Sequence, residues 1–144
     1  MKISEKGINF IIKEEGEVLT AYKCAAGVWT IGVGHTKNVT SKMKITKEKS
    51  QELLKADLQY FENAINTYIK VELEQCQFDA LMSLAFNIGT GNFSRSTLVK
   101  KINSSAPIEE IEIEFKKWKY GGGKILTGLK NRREREVRLY KGEL

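Results

Sequence analysis

The sequence contains few of the residues that mark linkers, disulfide frameworks and metal sites. Its 144 residues include one proline, one histidine and two cysteines, and no CxxC pair is present. This scarcity of soft ligands excludes a structural zinc site and predicts no cofactor, and free thiols are the expected state of Cys24 and Cys76. Without proline-rich or Gly/Ser-rich runs, a flexible linker is not expected either, so the chain is predicted to form one domain.

Long hydrophobic runs and an excess of acidic residues are also absent. The apolar run Ile8–Ile12 is short and flanked by charge, so it fits neither a signal peptide nor a stable membrane insertion. A net charge of +6 favours an anionic partner such as nucleic acid, a membrane surface or a bacterial wall polymer. Nucleic acid is the weakest of these, because the lysines are scattered and no base-reading motif is present.

The first predicted helix covers residues 4–15, with Ser4 as its N-cap and Gly16 just past its end. At 100° per residue, Glu15 falls within the apolar stripe, whereas Glu14 lies well to the side. We therefore expect the Glu15 carboxyl to point inward, towards aliphatic surroundings. The stripe consists of Ile8, Ile11 and Ile12.

The remaining pattern predicts a small hairpin followed by helices, an α+β fold that is mainly helical. The hairpin pairs Val18–Tyr22 with Val28–Val33, and a third strand or loop follows through Val39 to Ile45. Three predicted helices cover 46–69, 74–88 and 94–103. A fourth follows Pro107 and faces inward through Ile108, Ile111, Phe115 and Trp118. The last helix is capped by Thr127, has Leu129, Val137 and Tyr140 inward, and carries a dense Arg/Glu face.

This order of elements predicts two lobes in one domain, 1–144. A β-containing lobe of about 14–45 is joined by a connecting helix, 46–70, to a helical lobe, 71–144, onto which helix 4–15 packs. A cleft between such lobes is where a substrate is expected.

Three groups that can do chemistry lie close together in the segment from Glu15 to His35. A carboxyl held against aliphatic side chains keeps its proton to a higher pH, as a general acid for a glycosidic oxygen requires. An equally good interpretation of Glu15 is an ion pair with an arginine of the last helix. Cys24 can be a small buried residue, and Thr30 an ordinary strand former. His35 is expected to be a structural hydrogen-bonding residue rather than a base.

The glycine clusters do not predict a nucleotide site. Gly32 and Gly34 are not followed by the third glycine and helix of a dinucleotide fold, and the run at 121–123 lacks the Lys-Ser/Thr pair of a phosphate loop.

The spacing Glu-x8-Cys-x5-Thr followed by Ile-Gly-x-Gly-His resembles the catalytic segment of phage-type lysozymes, the glycoside hydrolase family 24 endolysins. Further similarity runs along nearly the whole chain in order. It includes Gln77–Leu81, Ser83–Gly89, Phe93 with Ser96–Leu98, Gly122–Lys124, Gly128–Leu129 and the pair Arg132-Arg133 followed by Glu136.

The resemblance implies a two-lobe lysozyme-like fold and a muramidase that cleaves the β-1,4 bond between N-acetylmuramic acid and N-acetylglucosamine. Glu15 would be the general acid, and Cys24 with Thr30 would hold and activate the attacking water in an inverting reaction. Phe86 and Asn87 match positions that line the sugar site, and Arg132 and Arg133 resemble arginines that reach the catalytic glutamate.

Cys24 departs from the family pattern, because many members have aspartate there. A thiol is mostly neutral at pH 7 and is a weak base. Four interpretations stay open: a neighbouring positive charge lowers the pKa of Cys24, Thr30 does more of the water placement, the site works with less base assistance, or Cys24 is a redox lock.

The resemblance also implies a biological setting. The protein would accumulate as a monomer in the host bacterial cytoplasm without a signal peptide or transmembrane segment, then reach peptidoglycan in the periplasm through a separate holin-type pore. The alternatives are a lytic transglycosylase, which needs no base for water, and a non-catalytic wall-binding module with a lysozyme fold.

Overall fold

The computed structural model describes all residues, Met1–Leu144, and has seven helices and two small antiparallel strand pairs. It confirms the expected mainly helical α+β class. No helix has both the length and the apolar character needed to cross a membrane. In order, the elements are α1 (Glu5–Glu15), β1 (Val18–Lys23), β2 (Trp29–Gly32), α2 (Lys47–Tyr68), α3 (Gln75–Ile88), α4 (Thr90–Arg95), α5 (Thr97–Asn103), α6 (Ile108–Lys116), β3 (Tyr120–Gly121), β4 (Lys124–Ile125) and α7 (Thr127–Tyr140).

The chain divides into two compact units. The smaller unit is Asn9–Tyr60, and the larger unit combines Met1–Ile8 with Phe61–Leu144. Helices α1 and α2 each contribute residues to both units.

The start and end of α1 follow from local hydrogen bonds. The Ser4 hydroxyl accepts the Gly7 N–H at 3.1 Å, and Gly16 ends the helix with a φ of +80°, a conformation that glycine adopts without a steric cost. Asp79 of α3, which is buried, accepts the Ser4 N–H at 3.0 Å and the Ser4 hydroxyl. The capping residue is therefore held by the core of the larger unit.

In the smaller unit, β1 and β2 form the predicted hairpin. Tyr22 pairs with Thr30, and Val18 pairs with Gly32, with a register irregularity between these pairs. The segment that was predicted as a third strand or loop contributes an isolated bridge, Thr20 to Lys44. Its flanking hydrogen bonds run from the Ala21 N–H to the Met43 carbonyl and from the Ile45 N–H to the Leu19 carbonyl, both at 2.9 Å.

The core of the larger unit is built on α3. Every residue from Phe78 to Ala85 is buried, and α7 and α6 supply buried partners that include Val137 and Phe115. The Phe115 ring meets the Tyr140 ring edge-on, with 5.5 Å between centroids.

The structure corrects the prediction of one helix over 94–103. Two short helices, α4 and α5, cover this region and the preceding residues, and they are separated at Ser96. Ser96 has extended backbone angles, and its hydroxyl accepts the Val99 N–H at 3.2 Å. The side chain thus caps a new helix where a continuous one was expected.

The exposure of residues in the last two helices, and the start of α7, also differ from the prediction. Ile108 of α6 is 37% exposed rather than inward, and α7 follows an N-cap at Leu126 rather than at Thr127. The Arg/Glu face of α7 is not solvated throughout, since Arg132 and Arg133 are buried. Gly121 ends β3, and Gly122 and Gly123 form the turn of the β3–β4 hairpin, which the sequence pattern did not predict.

A methyl group at Gly7 tests the contact between α1 and α3. A Cβ there would lie 2.6 Å from Asp79 Cγ and 2.7 Å from Ile3 Cγ1, and Asp79 is held in place by its hydrogen bonds. We expect Gly7→Ala to lower the free energy of unfolding by about 1–3 kcal/mol. Gly128→Ala is the matched control, because no atom lies within 4 Å of a Cβ at that helical position.

The control should raise the free energy of unfolding by about 0.4–1 kcal/mol, since alanine restricts the unfolded chain. Urea unfolding of both variants gives the comparison. Equal effects of the two substitutions would contradict the close approach of α1 to Asp79.

Candidate active site

The β1–β2 hairpin brings Cys24 and Thr30 together in the smaller unit. Cys24 follows β1 directly, and its N–H donates to the Val28 carbonyl at 3.0 Å, while the Gly27 N–H donates to the Cys24 carbonyl at 2.8 Å. Thr30 lies in β2, is 3% exposed, and donates its hydroxyl proton to the Val28 carbonyl at 2.9 Å. The turn therefore holds a half-buried thiol beside a buried hydroxyl.

The surroundings of Cys24 favour the thiolate. The backbone N–H of Val28, then that of Ala26, lowers the pKa of the Cys24 thiol; partial desolvation opposes this, and the Thr30 hydroxyl also lowers it. A hydroxyl has one proton to donate and two lone pairs that accept. The Thr30 proton can therefore go either to the Val28 carbonyl or to the sulfur, and its free lone pair can accept from a water molecule.

Glu15 is the last residue of α1 and lies in the same compact unit as Cys24 and Thr30. The expectation that its carboxyl is buried among aliphatic side chains is wrong, because Glu15 is exposed and Glu14 is the more buried of the two. Ile8 and Ile11 of the stripe are buried as predicted. The helical wheel gives the direction of a side chain but not the distance to which the core extends along the axis.

The single histidine connects the hairpin to α2. Its backbone forms both hydrogen bonds of a bridge with Ile31, at 2.9 and 3.0 Å. In its ring, Nδ1 lies 2.8 Å from Asp57 Oδ2 and Nε2 lies 2.9 Å from the Lys37 carbonyl oxygen. Because both nitrogens of His35 face acceptors, the ring is engaged in structure, as the sequence predicted it to be.

Arg132 and Arg133 lie together in the larger unit around Glu136, which is fully buried. Arg132 Nε donates to Glu136 Oε2 at 3.2 Å, and Arg133 Nε lies 2.7 Å from Oε1. The Ser83 hydroxyl donates to Glu136 at 2.5 Å. Burial raises the pKa of the Glu136 carboxyl, and the charges of Arg133 and Arg132 act in the opposite direction. Sequence reasoning missed the role of Glu136 as the shared partner, although its spacing after the two arginines places all three on one side of α7.

The two predicted sugar-site residues have different surroundings. The Phe86 ring packs against Phe61, with 5.1 Å between centroids. Asn87 is exposed and lines a cavity of about 460 Å³ in the larger unit, together with Trp118 and Tyr120. Trp118 and Tyr120 were not among the predicted site residues, although they lie beside the triple glycine.

Comparison with known proteins decides the family. Residues 12–136 match the model of the family described as phage lysozyme. The chain belongs to the phage lysozyme family. An endolysin of Acyrthosiphon pisum secondary endosymbiont phage 1 is 44% identical over 97% of this chain and 98% of its own length. The endolysin of Salmonella phage P22 is 51% identical over 72% of this chain and 74% of its own.

Solved structures agree with this assignment. The endolysin from Escherichia coli O157:H7 phage FAHEc1 superposes with a TM-score of 0.92 at 37% identity, covering 100% of this chain and 96% of that one. The resemblance inferred from the motifs and the lysozyme fold class are both confirmed. As a member of the phage lysozyme family, the chain is a glycoside hydrolase with a peptidoglycan-hydrolysing function.

The protonation state of the Cys24 thiol can be measured by the pH dependence of its alkylation. In a Cys76→Ser background, we expect the rate of reaction with iodoacetamide to reach half its plateau at a lower pH in the folded protein than in the protein unfolded by urea, because only the thiolate reacts. Thr30→Val should move the folded midpoint to higher pH by removing one hydrogen-bond donor, whereas Thr20→Val on the same hairpin should not. A folded midpoint at or above the unfolded one would contradict the lowered pKa of Cys24.

Proposed function

We propose that the chain hydrolyses the β-1,4 bond between N-acetylmuramic acid and N-acetylglucosamine, with Glu15 as general acid. The observation that carries this proposal is the pairing of Cys24 and Thr30 on one turn, in the same compact unit as Glu15. Family membership supplies the class of substrate, and the hairpin supplies two groups that can orient a water molecule.

In the proposed reaction, Glu15 gives its proton to the glycosidic oxygen and the bond to the anomeric carbon breaks. A water molecule adds to that carbon from the opposite face, which inverts its configuration. The water donates one hydrogen bond to Thr30 Oγ1, which accepts through a free lone pair, and loses its other proton towards the Cys24 sulfur.

The lowered pKa increases the share of Cys24 present as thiolate, the form that can accept a proton from water, which supports direct hydrolysis. Two elements of the site stay predictions: contact of Arg132 or Arg133 with Glu15, and binding of sugar by Phe86 and Asn87. We also propose that the protein acts as a monomer in host-cell lysis, accumulates in the host cytoplasm, and reaches the wall through a holin-type partner. Its net charge of +6 would favour an anionic wall.

Clearing of purified peptidoglycan tests the role of Glu15. We expect Glu15→Gln to lower the rate at least 100-fold, because general acid catalysis typically contributes about 10²–10⁴-fold. Glu14→Gln is the matched control on the neighbouring helical position and should keep most of the wild-type rate. Circular dichroism verifies that both variants fold. Equal clearing by Glu15→Gln and wild type would remove Glu15 from the mechanism, and no clearing by the wild type would remove the enzyme proposal.

Substitution of Cys24, combined with product mass, tests the attack by water. We expect Cys24→Asp to be at least as active as wild type, Cys24→Ser to be weaker and Cys24→Ala to be weakest, following their ability to accept a proton. Mass spectrometry should find reducing muramic acid ends. Anhydro ends, lighter by one water, would show a lytic transglycosylase instead, and equal rates for all three variants would contradict a role for Cys24.

A further inference from the structure

We propose that a second pocket of the smaller unit binds a single-chain lipid with a phosphate head. The pocket has a volume of about 430 Å³ and lies between the segment after His35 and the first turns of α2. Glu15, Cys24 and Thr30 are not among its lining residues, so the proposal is independent of the proposed reaction. We call it the basic pocket; its lining consists of three lysines, Lys37, Lys44 and Lys49, three apolar residues, Met43, Ile45 and Leu53, and the polar residues His35 and Asn38.

The floor of the basic pocket is apolar and fixed. Met43, Ile45 and Leu53 are half-buried and face the cavity. The main chain at Met43 and Ile45 is held to β1 by hydrogen bonds with Ala21 and Leu19, both at 2.9 Å. Half-buried aliphatic side chains around an open volume gain free energy when a hydrocarbon chain displaces the water there.

The rim of the basic pocket carries three ammonium groups with little compensation. Lys37 and Lys44 are exposed and form no ion pair, and Lys49 forms only an exposed pair with Glu52 at 3.3 Å. Such a surface pair is weak and can exchange for a ligand anion. The nearby Asp57 carboxylate, which lies 2.8 Å from the His35 ring, and Glu52 are the acidic groups that oppose the three lysines. Three positive charges against two negative ones leave the rim net positive.

An apolar floor below a positive rim selects a ligand with both features. Inorganic phosphate would satisfy the lysines but leave the floor wet, and a neutral detergent would cover the floor but leave the lysines unpaired. A phosphate head on one alkyl chain satisfies both, since its oxygens accept from several ammonium groups while the chain covers Met43, Ile45 and Leu53.

Three probes separate the contribution of the phosphate head from that of the alkyl chain. They are decyl phosphate below its critical micelle concentration, decyl maltoside and inorganic phosphate. Binding to the wild-type chain is followed by amide chemical shifts in NMR titrations. We expect decyl phosphate to bind at least ten times more tightly than either of the others, with shifts at Met43–Ile45 and also at Leu19–Ala21, which share hydrogen bonds with the floor.

Lys37→Ser combined with Lys44→Ser should weaken decyl phosphate binding at least tenfold. The control combines Lys42→Ser with Lys47→Ser, which removes the same charge from exposed neighbours that do not line the pocket, and should weaken it less than twofold. Equal affinity for decyl maltoside, equal affinity for inorganic phosphate, or equal effects of the two double variants would each overturn the proposal.

Discussion

One buried carboxylate organises the larger unit. Glu136 has no contact with solvent, and a buried charge is tolerated only where partners with charge and hydrogen bonds surround it. Two arginines of α7 and the Ser83 hydroxyl of α3 fill that role. The same arginines bind backbone carbonyls, Arg132 that of Ser83 at 3.2 Å and Arg133 that of Trp118 at 3.3 Å. The network therefore fixes the positions of α3, which carries Asn87, and of the segment that carries Trp118. Both residues line the 460 Å³ cavity.

The smaller unit depends on short-range hydrogen bonds instead. The Val28 carbonyl accepts from both the Cys24 N–H and the Thr30 hydroxyl, so one acceptor sets the distance between the two proposed water ligands. The His35 ring is hydrogen-bonded to Asp57 and so connects the hairpin to α2. Neither the shared Val28 acceptor nor the His35–Asp57 contact requires a large core. The turn itself supplies backbone N–H groups that lower the pKa of the Cys24 thiol and so favour its charged form.

Much of the fold could be predicted because its signals are local. Ser4 and Gly16 mark the ends of α1, and the β-branched residues on either side of the Cys24 turn mark the hairpin. The failures have two causes. Ser96 divides a predicted helix through a local cap that the apolar spacing did not reveal, whereas the burial of charged residues in α7 depends on the contact of Glu136 with Ser83 of α3. The wheel predicted an inward-facing Glu15, yet Glu15 is exposed, because periodicity does not specify how far the core extends along the helix axis.

The sequence alone determined the helical class, the hairpin and the family, because periodicity, caps and motif spacing are properties of neighbouring residues. It also identified Cys24 and Thr30 as a pair worth testing. Only the tertiary structure decided that Glu15 is exposed, that three charged residues of α7 lie in the interior, and that a positive rim surrounds the apolar floor formed by Met43, Ile45 and Leu53. The reason is physical: burial and electrostatic surroundings are set by residues distant in the chain, and no local pattern specifies which of them meet.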